Sequence, residues 1–354
     1  MSEQRNRIIE EDVARIARYS LPWHTFSGKT VLVSGANGFL PAYMVETLTF
    51  LNESGVTRDC KIIGLARNAR KAEARFKHLL GRSDFSILVQ DVCTPLALEQ
   101  RVDVVIHAAS QASPKYYGKD PVGTLSANTL GTHNLLSMAL RCGTEKFLFF
   151  SSCDVYGRLT DPDVPAREDS YGYLDPTDLR SCYPESKRLG ETMCIAWNHQ
   201  YGIPVRIVRP AHTYGPGMAL DDGRVFADFV ANVVRREDIV VKSTGIAKRP
   251  FCYLGDATLA YFTVLLNGED RQAYNVGNEE CEVSVGELAT ILVNLFPERK
   301  LSVKTLPDFT QSAGYIRSPN DRGTLDTSKL RALNWRPTTN VHDGFRRTIL
   351  SYEP

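Results

Sequence analysis

The sequence predicts an α/β protein built on a doubly wound parallel sheet, followed by a smaller lobe from its C-terminal third. Short apolar, β-branched runs alternate with longer helical patterns as far as Pro210. Most of these runs lack strict apolar–polar alternation, which is typical of strands whose two faces are both buried. Buried strands with helices between them indicate a parallel sheet that is covered by helices on both sides.

The predicted elements follow in chain order. Apolar side chains at helical spacing over residues 8–20 predict a short amphipathic helix ahead of the first strand. The predicted strands are Thr30–Ser34, Lys61–Leu65, Ser86–Gln90, Val102–Ile106, Lys146–Ser151 and Val205–Val208. The predicted helices between them are Leu40–Leu51, Ala69–Leu80, Val122–Arg141 and Pro184–Gln200.

The regular alternation stops after Pro210, where glycine, proline and aspartate gather and shorter mixed elements follow. A chain of 354 residues is also too long for one small core. We therefore expect an N-terminal helical extension over residues 1–27, a first domain over 28–209 and a second lobe mainly over 210–354. Part of 236–275 is expected to pack back on the first domain.

Composition and charge exclude several classes of protein. The net charge is +1, from 42 basic and 41 acidic residues, which gives no electrostatic reason to bind nucleic acid. No apolar run approaches the roughly 20 residues of a membrane-spanning helix, and the first residues do not resemble a secretory signal. Eight cysteines are scattered without metal-binding spacing, as in reduced proteins. We expect a cytoplasmic protein without a metal site and without nucleic-acid or membrane partners.

A glycine-rich turn joins the first predicted strand to the first long helix. Gly35 permits a tight turn, and Gly38 lets the backbone approach a pyrophosphate at the helix N-terminus, where free N–H groups favour an anion. Because the turn opens a βαβ series, it predicts a dinucleotide site and a Rossmann domain over 28–209. An ordinary strand–helix turn is the alternative, and Pro41 stands where a third glycine is usual. The predicted contacts here are Gly35, Asn37, Gly38, Phe39 and Leu40.

The end of the second strand bears on the choice between NAD and NADP. An acidic residue there would bind the ribose diol of NAD, but the sequence has Arg67. Arginine can hold the 2′-phosphate of NADP, or stack on adenine with no phosphate present. NAD is the expected cofactor, and Arg67 leaves NADP open. The residues expected to line the adenine and the diphosphate are Asp91, Val92, Ala108, Ala109 and Ser110.

Candidate catalytic residues follow the fifth strand. Tyr183 and Lys187 are four residues apart and therefore share one helix face. A tyrosine base needs a neighbouring cation because its unperturbed pKa is near 10, and the Lys187 ammonium would favour the phenolate. Ser152 would hydrogen-bond the same substrate hydroxyl and pass its proton to Tyr183. Alone, the Tyr–Lys pair is also compatible with two surface residues on a helix.

Together, these motifs resemble the extended short-chain dehydrogenase/reductase family, which acts on nucleotide-sugars, over about residues 28–350. Segments such as ASPKYYGKDP and RSCYPESKRLGETM are similar to the UDP-glucuronate decarboxylases of that family. The resemblance implies an enzyme that oxidises a sugar C4 hydroxyl with a bound nicotinamide cofactor. The implied substrate is a UDP-linked sugar, and the implied assembly is a homodimer formed by the helices Val122–Arg141 and Pro184–Gln200.

The resemblance also implies roles at matching positions. The implied catalytic residues are Ser152, Asp154, Tyr183 and Lys187. The implied substrate contacts are Tyr117, Cys153, Arg224, Arg249 and Arg322, because arginine suits oxyanion binding. The implied further cofactor contacts are Asn128, Tyr183, Lys187, Arg209 and His212, although His212 is equally compatible with a buried structural histidine.

Three reactions are open from one 4-keto sugar: decarboxylation, 4-epimerisation and 4,6-dehydration. Cys153 and Asp154 stand where dTDP-glucose-type dehydratases have Asp and Glu, which weakens dehydration because cysteine is a poor acid for a hydroxyl leaving group. Gly217 also replaces the arginine of the family's G-P-R-M segment and puts the inherited substrate contacts in doubt. We rank a decarboxylase first, ahead of an epimerase or dehydratase; an NADPH-dependent 4-ketosugar reductase is the alternative of another class.

Overall fold

Strands and helices alternate through the first half of the chain in the computed structural model, which describes residues 5–98, 100–160, 164–306 and 323–353. The strands are β1 (Thr30–Ser34), β2 (Lys61–Ala66), β3 (Phe85–Val89), β4 (Val104–His107), β5 (Lys146–Phe150), β6 (Val205–Pro210), β7 (His212–Tyr214), β8 (Ile239–Val241), β9 (Lys248–Tyr253), β10 (Ala273–Val276), β11 (Glu282–Ser284) and β12 (Val303–Thr305). The helices are α1 (Arg7–Ala17), α2 (Phe39–Glu53), α3 (Ala69–Arg75), α4 (Pro114–Tyr117), α5 (Pro121–Cys142), α6 (Cys182–Tyr201), α7 (Val225–Arg235), α8 (Leu254–Asn267), α9 (Val285–Asn294), α10 (Ser328–Arg331) and α11 (Val341–Leu350).

A seven-stranded parallel sheet forms the centre of the molecule, in the order β3-β2-β1-β4-β5-β6-β10. One core lies between this sheet and α1, α2 and α8, and a second apolar core lies on the opposite face beneath α5 and α6. Both faces of the sheet are therefore buried, as the apolar runs of the sequence predict. The prediction of an α/β doubly wound parallel sheet is confirmed.

A smaller set of elements after Pro210 has its own core. β7, β9 and β11 form a three-stranded sheet, and β8 pairs with β12. Their apolar side chains pack with α7, α9 and α11, and the Tyr214 and Phe345 rings stack at the centre with centroids 3.8 Å apart. β10 and α8, although late in the chain, pack with the first sheet. The domain limits given above stay a prediction.

The N-terminal helix α1 is tied to both parts of the molecule through Asp12. This carboxylate is almost fully buried. It accepts hydrogen bonds from Tyr43 on α2 at 3.1 Å, from Tyr253 on β9 at 2.6 Å and from Arg347 on α11 at 2.9 Å. The amphipathic helix predicted over residues 8–20 is present, over Arg7–Ala17.

The sequence prediction differs from the structure mainly in its short elements. The helix predicted over Ala69–Leu80 ends at Arg75, because Phe76 leaves helical geometry and buries its ring against Phe85. The strand predicted from Val102 begins at Val104. No strand was predicted after Val208, although the described residues form six there: five lie outside the main sheet, and β10 is its edge strand. Within the described residues, no helix is long and apolar enough to cross a lipid bilayer.

Candidate active site

The candidate site lies at the carboxyl end of the large sheet, between β1 and β4. β1 pairs with β2 on one side and with β4 on the other, so the strand order reverses at this point. In open parallel sheets, ligands bind in the crevice that such a reversal creates. The glycine-rich turn after β1 and the segment after β4 meet there, because Gly35 lies directly against the backbone of Ala109.

Two glycines keep this turn narrow. Gly35 has a φ of +65°, and a Cβ built on it would lie 2.7 Å from the Cα of Ala109. Gly38 is the N-cap of α2, and its Cβ would lie 2.9 Å from the carbonyl oxygen of Gly35. A side chain at either position would collide with backbone. Glycine therefore lets the turn, with Asn37 between the two glycines, approach β4 and leaves the start of α2 uncovered.

The first residues of α2 can offer backbone donors to an anion. The side chain of Phe39 packs into the C-terminal core, and that of Leu40 packs into the core beneath the sheet. Their backbone N–H groups belong to the first turn, which has no intrahelical acceptors. These N–H groups, together with the helix dipole, form a suitable site for a diphosphate.

A buried chain of hydrogen bonds fixes the wall of the crevice after β4. The Thr132 hydroxyl donates to the Asn128 carbonyl at 2.7 Å and lies 3.0 Å from His107 Nε2, which must therefore carry the donated hydrogen. His107 Nδ1 then accepts from the Ser34 hydroxyl at 2.8 Å. Burial, with a contribution from the Lys187 charge, lowers the pKa of His107 to about 3, so the ring is neutral. Ser34 Oγ also accepts from the next two backbone N–H groups, of Ala108 and Ala109.

Two buried polar atoms beside this wall have no protein partner among the described residues. They are the Ser110 hydroxyl oxygen and Oδ1 of Asn128, whose amide nitrogen donates to Ser186 at 2.9 Å. Buried polar groups almost always have partners, so such atoms indicate a ligand. Both residues were predicted to contact the cofactor, and a dinucleotide with hydroxyl and phosphate groups fits the donors, acceptors and narrow turn of this crevice.

The adenine end of the crevice is defined by residues after β2 and β3. Arg67 is exposed directly after β2, and Asn68 caps α3 by accepting from the Lys71 backbone at 2.9 Å. Asp91 follows β3 and accepts from the Cys93 backbone at 2.8 Å. Val92 is buried against α5. The described residues at the end of β2 thus present a cation and no carboxylate, as the sequence predicts, and the contacts of Arg67 with a cofactor stay a prediction.

Three of the four predicted catalytic side chains come together beside the end of β5, and the fourth, Asp154, lies in the turn that follows Ser152. Ser152, Tyr183 and Lys187 are all buried, and Lys187 lies below the Tyr183 ring, with its Nζ 5.8 Å from the ring centroid. Lys187 Nζ donates to the Phe150 carbonyl at 2.7 Å, which anchors the ammonium to the last residue of β5. The Ser152 hydroxyl accepts from the Asp154 backbone at 3.1 Å and interacts with the Tyr183 hydroxyl. Ser152, Tyr183 and Lys187, which were selected from motif spacing, therefore lie close together in the structure.

Burial dominates the protonation of this cluster. It raises the pKa of Tyr183, and the Asp154 carboxylate adds to the rise, while Ser152 and the Arg224 charge oppose it. Burial lowers the pKa of Lys187 to about 7, and the Glu191 carboxylate opposes that change. In the protein alone, Tyr183 is thus held neutral. The phenolate needs further positive charge nearby, which the ring of a bound oxidised nicotinamide would supply along with its capacity to accept a hydride.

Tyr117 and Arg180 form the opposite side of the site from Lys187. The Tyr117 ring stacks on that of Tyr183, with centroids 5.2 Å apart, and its hydroxyl donates to the Ala112 carbonyl at 3.0 Å. The Arg180 guanidinium lies 5.7 Å from the Tyr117 centroid and 3.8 Å from the Asp154 carboxylate. The sequence prediction missed Arg180, whose only signal was its position three residues before Tyr183 in RSCYPESK.

Two arginines and a neutral histidine lie toward the C-terminal lobe. Arg224, at the N-cap of α7, donates to the Ala112 carbonyl at 2.9 Å and pairs with Asp222 at 3.1 Å. Burial lowers the pKa of His212 to about 3, and the charges of Arg249 and Arg224 lower it further. His212 Nδ1 is buried without a partner among the described residues. The structure therefore groups Arg224, Arg249 and His212; the predicted contact Arg322 lies outside the described residues.

Cys153 is a thiol in a position that could face a substrate. It begins the turn after Ser152, is half-buried, and lies near Tyr183. Burial and the Asp154 carboxylate raise the pKa of the Cys153 thiol to about 12. The group is therefore neither a useful acid toward a hydroxyl nor a thiolate at neutral pH.

Gly217, the departure from the family's segment, lies against Arg75 of α3. Gly217 has a φ of +79°, and a Cβ there would lie 2.4 Å from the Arg75 guanidinium. Arg75 Nη1 donates to the Gly217 carbonyl at 3.2 Å. An arginine from the first domain thus occupies the space beside this turn, and a side chain at 217 would have to displace it.

Arg209 has protein partners that the sequence prediction did not foresee. Its Nε and Nη2 donate to Glu191 at 2.9 and 2.6 Å, and its Nη1 donates to the Tyr156 hydroxyl at 3.0 Å and the Glu168 carbonyl at 2.9 Å. Its side chain is only 5% exposed. The guanidinium is nearly saturated by the protein, which favours a structural role beneath the site over the predicted contact with the cofactor.

A parallel sheet with a diphosphate-binding turn and a Ser–Tyr–Lys cluster defines a nicotinamide-dependent enzyme that removes hydrogen from a hydroxyl group. Residues 31–277 match the NAD dependent epimerase/dehydratase family, and the chain belongs to that family. The family description names NAD, which confirms the sequence prediction of a nicotinamide cofactor.

Individual relatives agree with this membership. UDP-glucuronic acid decarboxylase 5 of Arabidopsis thaliana is 34% identical over 323 residues, 90% of this chain and 87% of the relative. UDP-glucuronic acid decarboxylase 1 of Danio rerio is 34% identical over 91% of this chain and 72% of the relative. Among solved structures, the dTDP-glucose 4,6-dehydratase DesIV of Streptomyces venezuelae, with NAD bound, is 25% identical with a TM-score of 0.75, over 91% of this chain and 96% of that one. The predicted family resemblance is thereby confirmed.

Proposed function

We propose that this protein decarboxylates a UDP-linked uronic acid after oxidising its C4 hydroxyl. The relatives named as UDP-glucuronic acid decarboxylases support the substrate class, since they match about nine-tenths of this chain. The composition of the site is the observation that carries the choice of reaction. The site contains arginines that can hold a carboxylate, and the nearby Cys153 thiol is too weak an acid to protonate a leaving group.

Oxidation at C4 would use the three buried side chains. Tyr183 as phenolate accepts the hydroxyl proton, either directly or through Ser152, while Lys187 holds positive charge below the ring. The C4–H bond gives up its electron pair as hydride, and C4 becomes a ketone. Stacking of Tyr117 on Tyr183 fixes the direction of the phenol oxygen, since the Tyr117 hydroxyl is itself anchored to the Ala112 carbonyl.

The fate of the ketone then depends on the group at C6. With a carboxylate there, the C5–C6 bond breaks, carbon dioxide leaves, and the electron pair enters the C4 carbonyl as an enolate that later takes a proton at C5. The hydride would then return from the reduced cofactor to C4 and a proton to the C4 oxygen, so that the net change is the loss of carbon dioxide alone. The decarboxylation step needs no acid for a leaving group. Loss of water from a C6 hydroxyl does need one, and the Cys153 thiol, with a pKa near 12, cannot serve.

Two arginines support an anionic substrate. Arg224 keeps its charge despite burial because Asp222 pairs with it, and Arg249 is close enough to His212 to lower the pKa of that ring. Guanidinium groups bind carboxylate and phosphate oxygens in pairs of hydrogen bonds. Arg224 and Arg249 are proposed to hold the diphosphate or the sugar carboxylate.

The direct test is mass spectrometry of the product pool without added cofactor. The purified protein is incubated separately with UDP-glucuronate, UDP-glucose, UDP-N-acetylglucosamine, dTDP-glucose and GDP-mannose. We expect UDP-glucuronate to lose the mass of carbon dioxide. Loss of water from a hexose would instead mean a dehydratase, and an unchanged mass with a new chromatographic peak an epimerase. If only added NADPH and a 4-ketosugar give turnover, the protein is a reductase.

Two tyrosine variants make the test specific. Tyr183→Phe removes the proposed base and should abolish turnover while leaving NADH binding nearly unchanged. Tyr171→Phe removes the same atom from a side chain that is 77% exposed and lies outside both the site and the α5–α6 helix pair, so it should keep wild-type turnover. Wild-type-like activity in Tyr183→Phe would remove this residue as the base.

We also propose that a second copy of this chain covers the outer faces of α5 and α6. These adjacent helices carry exposed apolar side chains, and the rings of His133 and Trp197 meet between them at 5.3 Å. The exposed large apolar residues of α5 and α6 are Val122, Leu125, Leu130, Leu140, Leu189 and Tyr201. An apolar face of this kind is typical of a homodimer interface. Because α6 also bears Tyr183, this interface would connect the active sites of the two copies.

Sedimentation equilibrium tests the dimer. Leu189→Glu should shift the protein from dimer to monomer, because a charge would enter the apolar face. Leu80→Glu is the control, since Leu80 is similarly exposed but lies outside this helix pair. A monomeric wild type, or a dimer that survives Leu189→Glu, would contradict the assigned interface.

A further inference from the structure

We propose that Glu191 is a positioning residue that holds Lys187 in its charged form, with Arg209 as the counter-charge of Glu191. The inference rests on the proposed role of Lys187 in oxidation. It concerns a layer directly beneath the catalytic cluster.

Glu191 is the meeting point of three elements. One of its oxygens accepts from the Ser151 hydroxyl at 2.5 Å, at the end of β5 and next to the catalytic Ser152. Both of its oxygens accept from Arg209 of β6, at 2.9 and 2.6 Å. Glu191 also follows Lys187 by four residues on α6, so the two side chains share one helix face.

The second half of this layer fixes Arg209. Its Nη1 donates to the Tyr156 hydroxyl, which donates in turn to Asn275 of β10 at 2.5 Å. The Asn275 amide nitrogen donates to the carbonyl oxygens of Ala166 and Asp326, both at 2.9 Å. The ion pair is therefore held in place on both sides, and neither charge can turn away from the cluster without breaking several buried hydrogen bonds.

Among the described residues around Lys187, Glu191 is the carboxylate whose charge stabilises the ammonium. On α6, the neighbouring ionisable groups are Tyr183 and Cys194, both neutral because burial raises the pKa of each. On β4, His107 is neutral, with a pKa of about 3. From β5, the Phe150 carbonyl accepts the ammonium and the Phe149 ring lies 5.2 Å from it. From β6, Arg209 adds charge behind Glu191, whereas the other arginine of that strand, Arg206, is paired with Asp270 at 2.8 Å.

This arrangement has a measurable consequence. Burial alone works against a charged lysine, and a carboxylate within a few ångströms can offset a shift of one to three pH units. If Glu191 becomes neutral, Lys187 loses that support and also faces the uncompensated cation of Arg209. If Arg209 becomes neutral instead, Lys187 faces an uncompensated carboxylate and keeps its proton to higher pH. The two charges therefore act on Lys187 with opposite signs.

The test is the alkaline limb of the pH profile in paired variants. In Glu191→Gln, the limb of kcat/KM should move to lower pH by about one unit. In Arg209→Met, it should move to higher pH. Ser151→Ala removes a hydrogen bond to Glu191 but no charge, and Arg209→Lys keeps the charge, so both should leave the limb where it is in the wild type. A change confined to protein stability would not shift these limbs in opposite directions.

A second readout does not depend on turnover. The dissociation constant of NADH is measured by fluorescence across the same pH range, since NADH carries no charge on its ring. Its affinity should fall above the pH at which Lys187 loses its proton, and that pH should move down in Glu191→Gln and up in Arg209→Met. If no sugar is turned over but these shifts occur, the proposed reaction fails and the role of Glu191 stands.

The result that overturns the inference is equally specific. Limbs that stay in place in both charge variants, or that move in the same direction, would make the Glu191–Arg209 pair a structural clamp only. Because loss of a buried partner destabilises the fold, each variant is first shown to be folded by circular dichroism at every pH used. If Arg209→Met does not fold, the contrast between Glu191→Gln and Ser151→Ala decides the matter.

Discussion

Replacing Gly35 with alanine tests the dinucleotide turn, and Gly28→Ala provides a matched control. Both glycines lie in the left-handed region, at φ values of +65° and +70°, on either side of β1. A Cβ at 28 would meet nothing within 4 Å, whereas a Cβ at 35 would lie 2.7 Å from Ala109 Cα and 3.0 Å from Ala109 N. Comparing the two variants therefore separates the cost of backbone strain, which both share, from the cost of a steric collision, which only Gly35→Ala has.

The expected magnitudes follow from these contacts. A left-handed alanine costs roughly 1–2 kcal/mol, which is the whole effect expected for Gly28→Ala. Gly35→Ala adds a collision with backbone that cannot rotate away, and overpacking of this kind costs about 1–3 kcal/mol more. Urea unfolding should therefore show a loss of about 1–2 kcal/mol for Gly28→Ala and about 2–5 kcal/mol for Gly35→Ala.

Gly35→Ala and Gly28→Ala should differ more clearly in their affinity for NADH than in their free energy of unfolding. The backbone N–H of Ala109 is bonded to Ser34, so pushing Ala109 away moves the wall that holds the buried Ser110 and Asn128 atoms. We expect NADH to bind at least about tenfold more weakly to Gly35→Ala, a loss of about 1.4 kcal/mol, and with wild-type affinity to Gly28→Ala. Fluorescence titration of NADH measures both.

Equal losses in the two variants would refute this reasoning. If Gly35→Ala were no less stable than Gly28→Ala, the close approach of the turn to β4 would be wrong. If its stability fell as expected but NADH bound normally, the turn would be an ordinary strand–helix connection, and the diphosphate would have to bind elsewhere.

Three other perturbations follow from named contacts. Asp12→Ala should lower the free energy of unfolding by about 3 kcal/mol, because it leaves Arg347 without its buried partner. Glu11→Ala removes an exposed partner of the same arginine and should cost less than about 1 kcal/mol. Equal urea midpoints for the two variants would contradict this difference. Arg67→Asp should weaken NADPH binding far more than NADH binding, whereas equal losses would indicate stacking on adenine. Arg249→Ala should raise KM for the sugar more than it weakens NADH binding, and an unchanged KM would remove it from the site.

The large sheet could be predicted from the sequence because its signals are local. Strands buried on both faces read as continuous apolar runs, and β1 was predicted at its observed limits. The small strands could not be predicted in this way. β7, β8, β11 and β12 are three residues long, too short for a periodic pattern, and they form only because the cores around α7, α9 and α11 hold them together.

The candidate site also contains some residues that could be predicted from the sequence and others that could not. Ser152, Tyr183 and Lys187 could be predicted because each lies in a motif whose spacing fixes its place on a strand end or a helix face. Arg180 and Glu191 were missed because a charged residue on a helix is usually solvated, and only tertiary packing turns these two inward. Arg209 illustrates the opposite error: it was predicted to contact the cofactor, and its pairing with Glu191 was not foreseen, because the partners lie on different elements.

The choice among reactions can be argued from which groups in the site can give up a proton near neutral pH. Cys153 cannot, since its pKa is about 12, and His212 has no proton to give, since its pKa is about 3. Burial lowers the pKa of Lys187 to about 7, but its ammonium donates to the Phe150 carbonyl at 2.7 Å. What the described residues offer a substrate is therefore fixed positive charge, from Arg224 and Arg249, more than acidity. Such a site stabilises a carboxylate and the enolate left behind when carbon dioxide departs, and it gives little help to a hydroxyl that must leave as water.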